Sequence, residues 1–163
     1  METAKAVLAP QDLTRLTERS RQALQFAREE TRAFGHPAIG AIHLLVGLMR
    51  ERNSFAAHIL HDLGVTLDQA RAAVTTLTTA DAVQPHELSL DEGGRRIFVL
   101  AAEEAKQHNH NYIGTEHMLL ALTCDADATV AAFWQHVRVA PAQVSARVEE
   151  VLRAQEAGTS ADV

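Results

Sequence analysis

The sequence repeats itself at a fixed offset of 74 residues. When residues 16–74 are laid on residues 90–148 without a gap, 17 of 59 positions are identical. The densest match sets segment 39–48 (IGAIHLLVGL) against segment 113–122 (IGTEHMLLAL). Self-similarity at a fixed spacing indicates copied structural units. Because there are only two copies, each far longer than a solenoid repeat, the sequence predicts one domain with pseudo-twofold symmetry.

The charge balance and the cysteine content narrow the class of protein. The net charge is −6, which argues against binding to nucleic acid or to anionic membrane surfaces. A single cysteine, Cys124, excludes an intrachain disulfide and a cysteine zinc cluster. The start of the chain lacks a signal-peptide pattern, and no apolar run approaches the roughly 20 residues of a membrane span. These features predict a soluble cytoplasmic protein.

Apolar residues recur at helical spacing in both halves, and no strand pattern of any length interrupts them. The expected fold is all-α, with two four-helix repeats and about eight helices in one compact domain. The third helix is expected to turn Phe55 inward, and Thr115 is expected to cap the sixth. His43 and His117 are equivalent by the repeat, which favours a structural role. The predicted helices cover 17–34, 41–52, 54–63, a segment from 66, and segments that begin at 91, 115, 128 and 141.

The same pattern predicts the domain organisation. Its parts are a flexible arm (1–12), the domain (13–153) with repeat one (13–77), a linker (78–89) and repeat two (90–153), and a flexible tail (154–163).

Segment 110–122 (HNYIGTEHMLLAL) resembles the N-terminal domain of the Clp (Hsp100) unfoldases, of the ClpC type in particular. The signature is Gly-Thr-Glu-His-x-Leu-Leu after a long helix that carries Glu103-Glu104-Ala105. The first copy reads GAIHLL at 40–45, and the resemblance extends over residues 13–153. It implies a pseudo-symmetric helical module that docks adaptors and substrates for an ATP-driven unfoldase partnered with a protease ring.

The resemblance also implies a ligand. In ClpC-type domains the motif glutamate pairs with the guanidinium of a phosphorylated arginine. The phosphate then lies near the start of the repeat's first helix, which a threonine caps. Repeat one has the threonine, Thr17, but has Ile42 in place of the glutamate. Repeat two has Glu116, but Asp91 at the cap repels phosphate. If each site is built from the cap residue and the acid of the same repeat, neither site is complete. Phosphoarginine binding is therefore expected to be weak or absent.

The expected contact residues lie at the starts of the two long helices and of the two motif helices. Because they are equivalent in pairs, they are expected to form two related surface sites for a protein or peptide partner. Ile42 either extends a hydrophobic patch for that partner or is buried. The candidate residues are Leu16, Thr17, Ile42, Leu90, Asp91, Thr115 and Glu116.

Nine histidines raise the question of a metal site. His58 and His61 stand three residues apart on a predicted helix, and His108 and His110 flank the end of another. Zinc needs three or four converging ligands, and the sequence has neither a cysteine cluster nor a His-Glu-x-x-His motif. No metal and no cofactor are therefore expected.

Catalytic motifs are missing as well. The sequence has no nucleophile elbow, and without a P-loop it cannot bind ATP in the manner of the unfoldase modules. The expected function is non-catalytic protein binding, by a free-standing relative that acts as an accessory subunit, an adaptor or a decoy. The alternatives are the receptor domain of a full-length ClpC-type unfoldase and a small helical enzyme.

Overall fold

The computed structural model describes residues 13–76, 86–124 and 127–161, with side chains to 157 in the last range. The predicted arm (1–12) and most of the predicted linker lie outside the described residues. Within these ranges the protein is all-α, as predicted. No helix there combines the length and the apolar character that crossing a bilayer requires. The helices are α1 (Glu18–Ala33), α2 (Ala41–Arg50), α3 (Phe55–Asp62), α4 (Leu67–Thr75), α5 (Glu92–Gln107), α6 (Thr115–Cys124), α7 (Ala128–Val137) and α8 (Pro141–Ala161).

Side-chain caps begin both long helices, α1 and α5, at the residues that the sequence indicated. The Thr17 hydroxyl accepts from the Ser20 N–H at 3.2 Å and begins α1. The Asp91 carboxylate begins α5 in the same way, through the Gly94 N–H at 2.8 Å. Such caps satisfy N–H groups that have no partner within the helix. Helix α8 extends to Ala161, past the predicted end of the domain at residue 153.

The predicted cap at Thr115 is wrong. Thr115 is the first residue of α6, and its hydroxyl accepts from the Ala56 N–H of α3 at 3.5 Å. The capping contact at this helix start comes from His117, whose Nδ1 accepts from the Gly114 N–H at 2.9 Å. A ring nitrogen two residues into the helix therefore takes the role that the sequence gave to the threonine.

The predicted inward orientation of Phe55 is also wrong. Its side chain is 45% exposed, whereas Ala56, Ile59 and Leu60 form the buried face of α3. Successive residues of a helix are about 100° apart, so burying residue 56 turns residue 55 towards solvent.

The two repeats cross over where their long helices begin. Leu16 pairs with Ile113 in a parallel bridge, and Ile39 pairs with Leu90 in the equivalent one. Adding 74 to Leu16 and Ile39 gives Leu90 and Ile113, so each bridge is the pseudo-twofold copy of the other. Each repeat thus supplies the backbone partner of the other, and apolar side chains from both form one core.

Helices α1 and α2 approach closely at Gly47. A Cβ at this position would collide with the Ala23 carbonyl oxygen and lie 3.0 Å from the Ala27 Cβ. At the equivalent position, repeat two has Ala121, whose side chain is fully buried. The spacing between the first two helices therefore requires glycine in repeat one, whereas repeat two accommodates alanine.

Gly47→Ala is expected to lower the free energy of unfolding, because the added methyl group forces α1 and α2 apart. Overpacking of this kind typically costs about 1–3 kcal/mol, against up to about 1 kcal/mol gained from the better helix propensity of alanine. Urea denaturation measures the difference, with Ala121→Gly as the matched change in repeat two. A Gly47→Ala variant more stable than the wild type would show that the close approach is not required.

Candidate functional site

The crossing of the repeats builds a groove from parts of both. The Thr17 N–H donates to the Ile113 carbonyl oxygen at 3.1 Å, which places the start of α1 beside the start of α6. A cavity of about 860 Å³ opens along this junction, and we call it the Thr17–Glu116 groove. Residues that line it include Thr17, Arg19, Phe55, Tyr112, Thr115 and Glu116.

This arrangement corrects the way in which the sequence paired the candidate residues. Thr17 was grouped with Ile42, and Asp91 with Glu116, because each pair belongs to one repeat. In the structure Thr17 shares a groove with Glu116, and the Asp91 N–H donates to the Ile39 carbonyl oxygen at 3.0 Å, beside the helix that carries Ile42. One groove therefore holds both the threonine and the glutamate, and the other edge has neither.

Glu116 is a buried acid with no counter-charge. Its side chain is 4% exposed and folds back over Gly114, where a Cβ would lie 2.5 Å from either carboxylate oxygen. In the described part of the chain, no cation and no side-chain donor contacts this carboxylate. Burial raises the pKa of Glu116 above its ordinary value. An unpaired buried anion is costly, so this position favours a cationic ligand group.

The cations around the groove differ in their availability. Arg19 pairs with Glu51 at 3.3 Å. Arg50 pairs with Glu30 at 3.3 Å and lies over the Phe26 ring, 4.3 Å from its centroid. Arg52 also lines the groove, is exposed, and forms no ion pair within the described residues. The groove thus combines a buried carboxylate with an available guanidinium.

The opposite edge is closed to an anion. Asp91 is exposed, and its Oδ2 lies 2.9 Å from the point where a Cβ on Gly40 would stand, at the start of α2. A carboxylate at a helix start occupies the place that phosphate would favour. Ile42 is 2% exposed, so it is buried and offers no surface patch. Leu90 is half-buried, and Leu16, 6% exposed, belongs to the core.

A buried histidine, paired with a second imidazole, supports the start of each motif helix. His43 Nδ1 accepts from the Gly40 N–H at 2.9 Å, so the neutral ring carries its proton on Nε2 and donates it to His36 Nδ1 at 2.8 Å. Burial, reinforced by the neighbouring imidazole, lowers the pKa of His43 to about 4. Repeat two has the same contacts, and the pKa of His117 is lowered to about 4 as well. Its residues are His117, Gly114 and His110.

Three of the groove residues that sequence reasoning missed bear on ligand binding. Phe55 is predicted to face the core, but in the structure its ring is exposed and lines the groove. Tyr112 stands two positions before Gly114, and its ring stacks on His110 with centroids 4.8 Å apart. Arg52 carried no sequence signal, because only the fold reveals that its charge is unpaired.

Comparison with known proteins supports the duplicated architecture. The family model described as the Clp repeat (R) N-terminal domain matches residues 15–132 and also residues 89–162. Over 147 residues the chain is 31% identical to the negative regulator of genetic competence ClpC/MecB of Bacillus subtilis. This match covers 90% of this chain and 18% of that protein. Over 139 residues it is 32% identical to the ClpA homolog of Porphyra purpurea, covering 85% of this chain and 17% of that protein.

Solved structures give the same fold. The N-terminal domain of ClpD from Arabidopsis thaliana superposes with a TM-score of 0.75 at 22% identity, covering 90% of this chain and 99% of that one. A ClpV N-domain in complex with a VipB peptide superposes with a TM-score of 0.65 at 17% identity, covering 80% and 84%. The chain spans less than a fifth of the curated relatives named above. With both repeats matched by the family model, the chain belongs to the Clp repeat N-terminal domain family.

Proposed function

We propose that this chain is a non-catalytic protein-binding module of the Clp chaperone–protease system and that its Thr17–Glu116 groove binds phosphorylated arginine in peptides. The observation that carries the proposal is the buried carboxylate of Glu116, which has no counter-charge and lines the same groove as Thr17. The expectation of weak binding depended on pairing these residues with Asp91 and Ile42. That reason now applies only to the opposite edge.

The groove offers complementary chemistry for both ends of phosphoarginine. A carboxylate matches a guanidinium through two parallel hydrogen bonds, and Glu116 is desolvated, which strengthens such a pair. The phosphate would lie at the start of α1, where Thr17 and the N–H groups of the first turn favour an anion. Arg52 at the rim supplies a cation that no residue of the described chain neutralises.

Membership of the family supports a proposal for the wider role. The ClpV N-domain, which has this fold, was solved with a VipB peptide, and this supports peptide binding as the use of the groove. We propose that the chain acts in the cytoplasm as an accessory subunit, an adaptor or a decoy for ligands of the unfoldase. The alternative is a receptor domain within a full-length ClpC-type unfoldase. The described residues that line the groove include no serine, cysteine or histidine, which supports a binding role over a hydrolytic one.

Calorimetric titration tests the proposal directly. We expect free phosphoarginine, and a peptide that contains it, to bind with one site per chain, since only one groove has both the threonine and the glutamate. The unphosphorylated peptide is the matched control and is expected to bind at least tenfold more weakly. Absence of binding by both phosphorylated ligands, or two equivalent sites per chain, would contradict the proposal.

A further inference from the structure

A cluster of ligand-type side chains lies away from the groove, where α5 ends against α8. Glu104 lies in the last turn of α5, His108 is the C-cap residue of that helix, and Glu149 faces both from α8. One ligand atom from each of the three residues lies within 4.8 Å of the other two, and all three residues are half-buried. We propose that Glu104, His108 and Glu149 form a binding site for a divalent transition-metal ion of the Zn²⁺ type.

The ring of His108 is oriented as in a metal ligand. Its Nδ1 lies 2.8 Å from the Glu104 backbone carbonyl oxygen and must donate its proton to it. Metal-bound histidines typically use one nitrogen in this way, which fixes the tautomer and directs the other nitrogen to the ion. In the neutral ring, His108 Nε2 then presents a lone pair at 3.0 Å from Glu149 Oε2, which is also an acceptor. This contact pairs two acceptors unless a proton or a metal ion lies between them, so a metal ion that displaces the proton would find both ligand atoms already in place.

Repeat one shows how the same position is neutralised without a metal. Glu30, the equivalent of Glu104, is bound by Arg50 at 3.3 Å and by Arg71 at 2.7 Å. At the positions of these arginines, repeat two has Cys124 and Ser145.

In repeat two both arginines are absent, and His108 stands where repeat one has Phe34, so an imidazole is added at the position where the two cations are lost. Within the described chain, no lysine or arginine forms an ion pair with Glu104 or Glu149. Two carboxylates share one imidazole, and this leaves a negative charge that a bound cation would compensate.

The ligand set favours Zn²⁺ over the harder cations. One imidazole nitrogen and two carboxylate oxygens suit zinc, whereas Ca²⁺ requires six to eight oxygen ligands. Water would complete the tetrahedron, since the exposed Cys124 Sγ lies 3.9 Å from Glu104 Oε1 and outside the ligand cluster. The bound ion would tie α8 to α5, as Arg71 ties α4 to α1 in repeat one. The sequence did not reveal this set because 41 residues separate His108 from Glu149.

Titration of the chelator-treated full chain with ZnCl₂ tests the site. We expect one Zn²⁺ per chain, and we expect His108→Gln and Glu149→Gln each to weaken binding by more than the roughly 10- to 100-fold that loss of an outer-sphere partner costs. Zn²⁺ is expected to raise the melting temperature of the wild type and not that of His108→Gln. This second readout separates loss of the site from a general folding defect.

Two control variants remove other side chains of this protein that can bind metal ions. The double variant His58→Gln/His61→Gln removes an exposed histidine pair and is expected to bind Zn²⁺ like the wild type. Cys124→Ser is expected to change the affinity by less than about tenfold, since the thiol would be at most an outer partner. The proposal is overturned if the wild type binds no Zn²⁺, if His108→Gln retains wild-type affinity, or if the His58/His61 variant loses it. The first result would leave His108 and Glu149 as an ion pair only.

Discussion

Glu116→Gln is expected to weaken phosphoarginine binding by at least about 30-fold without unfolding the protein. Removing one partner of a desolvated charge pair costs about 2 kcal/mol or more, which corresponds to this loss of affinity. Glutamine keeps the volume and can still donate or accept, but it cannot balance a guanidinium. Calorimetry with phosphoarginine measures the loss, and a variant with wild-type affinity would exclude Glu116 as the guanidinium partner.

The same substitution separates binding from stability. In the unliganded protein the carboxylate of Glu116 is buried without a counter-charge, so replacing it by a neutral amide is expected to leave the melting temperature unchanged or to raise it. A loss of affinity accompanied by a gain in stability would mark Glu116 as a residue that serves the ligand rather than the fold. A large fall in melting temperature would instead indicate a structural role.

The opposite edge offers the reverse experiment. Ile42→Glu combined with Asp91→Thr would give that edge the pair of residues that the Thr17–Glu116 groove has. The stoichiometry of phosphoarginine is then expected to rise from one to two per chain. Asp91→Thr alone is the matched control, and it is expected to keep one site because Ile42 still lacks a carboxylate.

Acidification is expected to destabilise the fold through the two buried histidines of the motif helices. His43 and His117 have pKa values of about 4 in the folded protein, below the 6.5 of an unperturbed histidine. Their contribution to stability is complete above about pH 6.5 and is lost as the pH falls towards 4. At pH 5 each histidine is expected to contribute a loss on the order of 2 kcal/mol relative to pH 7.5. Glu116, whose pKa is raised, offsets part of this loss because its protonation favours the folded state.

The cause of this effect is local and can be observed directly. A proton added to the Nδ1 of His43 would point at the Gly40 N–H that this atom now accepts, and His117 faces Gly114 in the same way. Urea denaturation at several pH values measures the loss, and NMR titration of the histidine ring protons assigns it. Titration of His43 and His117 near pH 6.5 in the folded protein would refute the account.

Local structure was predictable because its causes are local. The caps at Thr17 and Asp91 could be predicted from the sequence, since each side chain reaches an N–H only three residues away. The same logic failed at Thr115, because His117 competes for the helix start and Ala56 of another helix takes the threonine hydroxyl. Phe55 was misplaced for a related reason, since hydrophobicity alone does not decide which of two adjacent apolar residues turns inward.

The sequence by itself determined the duplication, the all-α class and the residue types available for a site. It could not determine which threonine meets which glutamate, because an offset of 74 residues describes similarity and not contact. That choice lies in two backbone bridges, Leu16 to Ile113 and Ile39 to Leu90, which join each repeat to the other. Repeat one lacks the glutamate and repeat two lacks the threonine, and the structure places both of these positions at the same edge. One groove therefore keeps both residues, while the other edge has neither. The physical reason is that a pseudo-twofold interface exchanges partners between its halves.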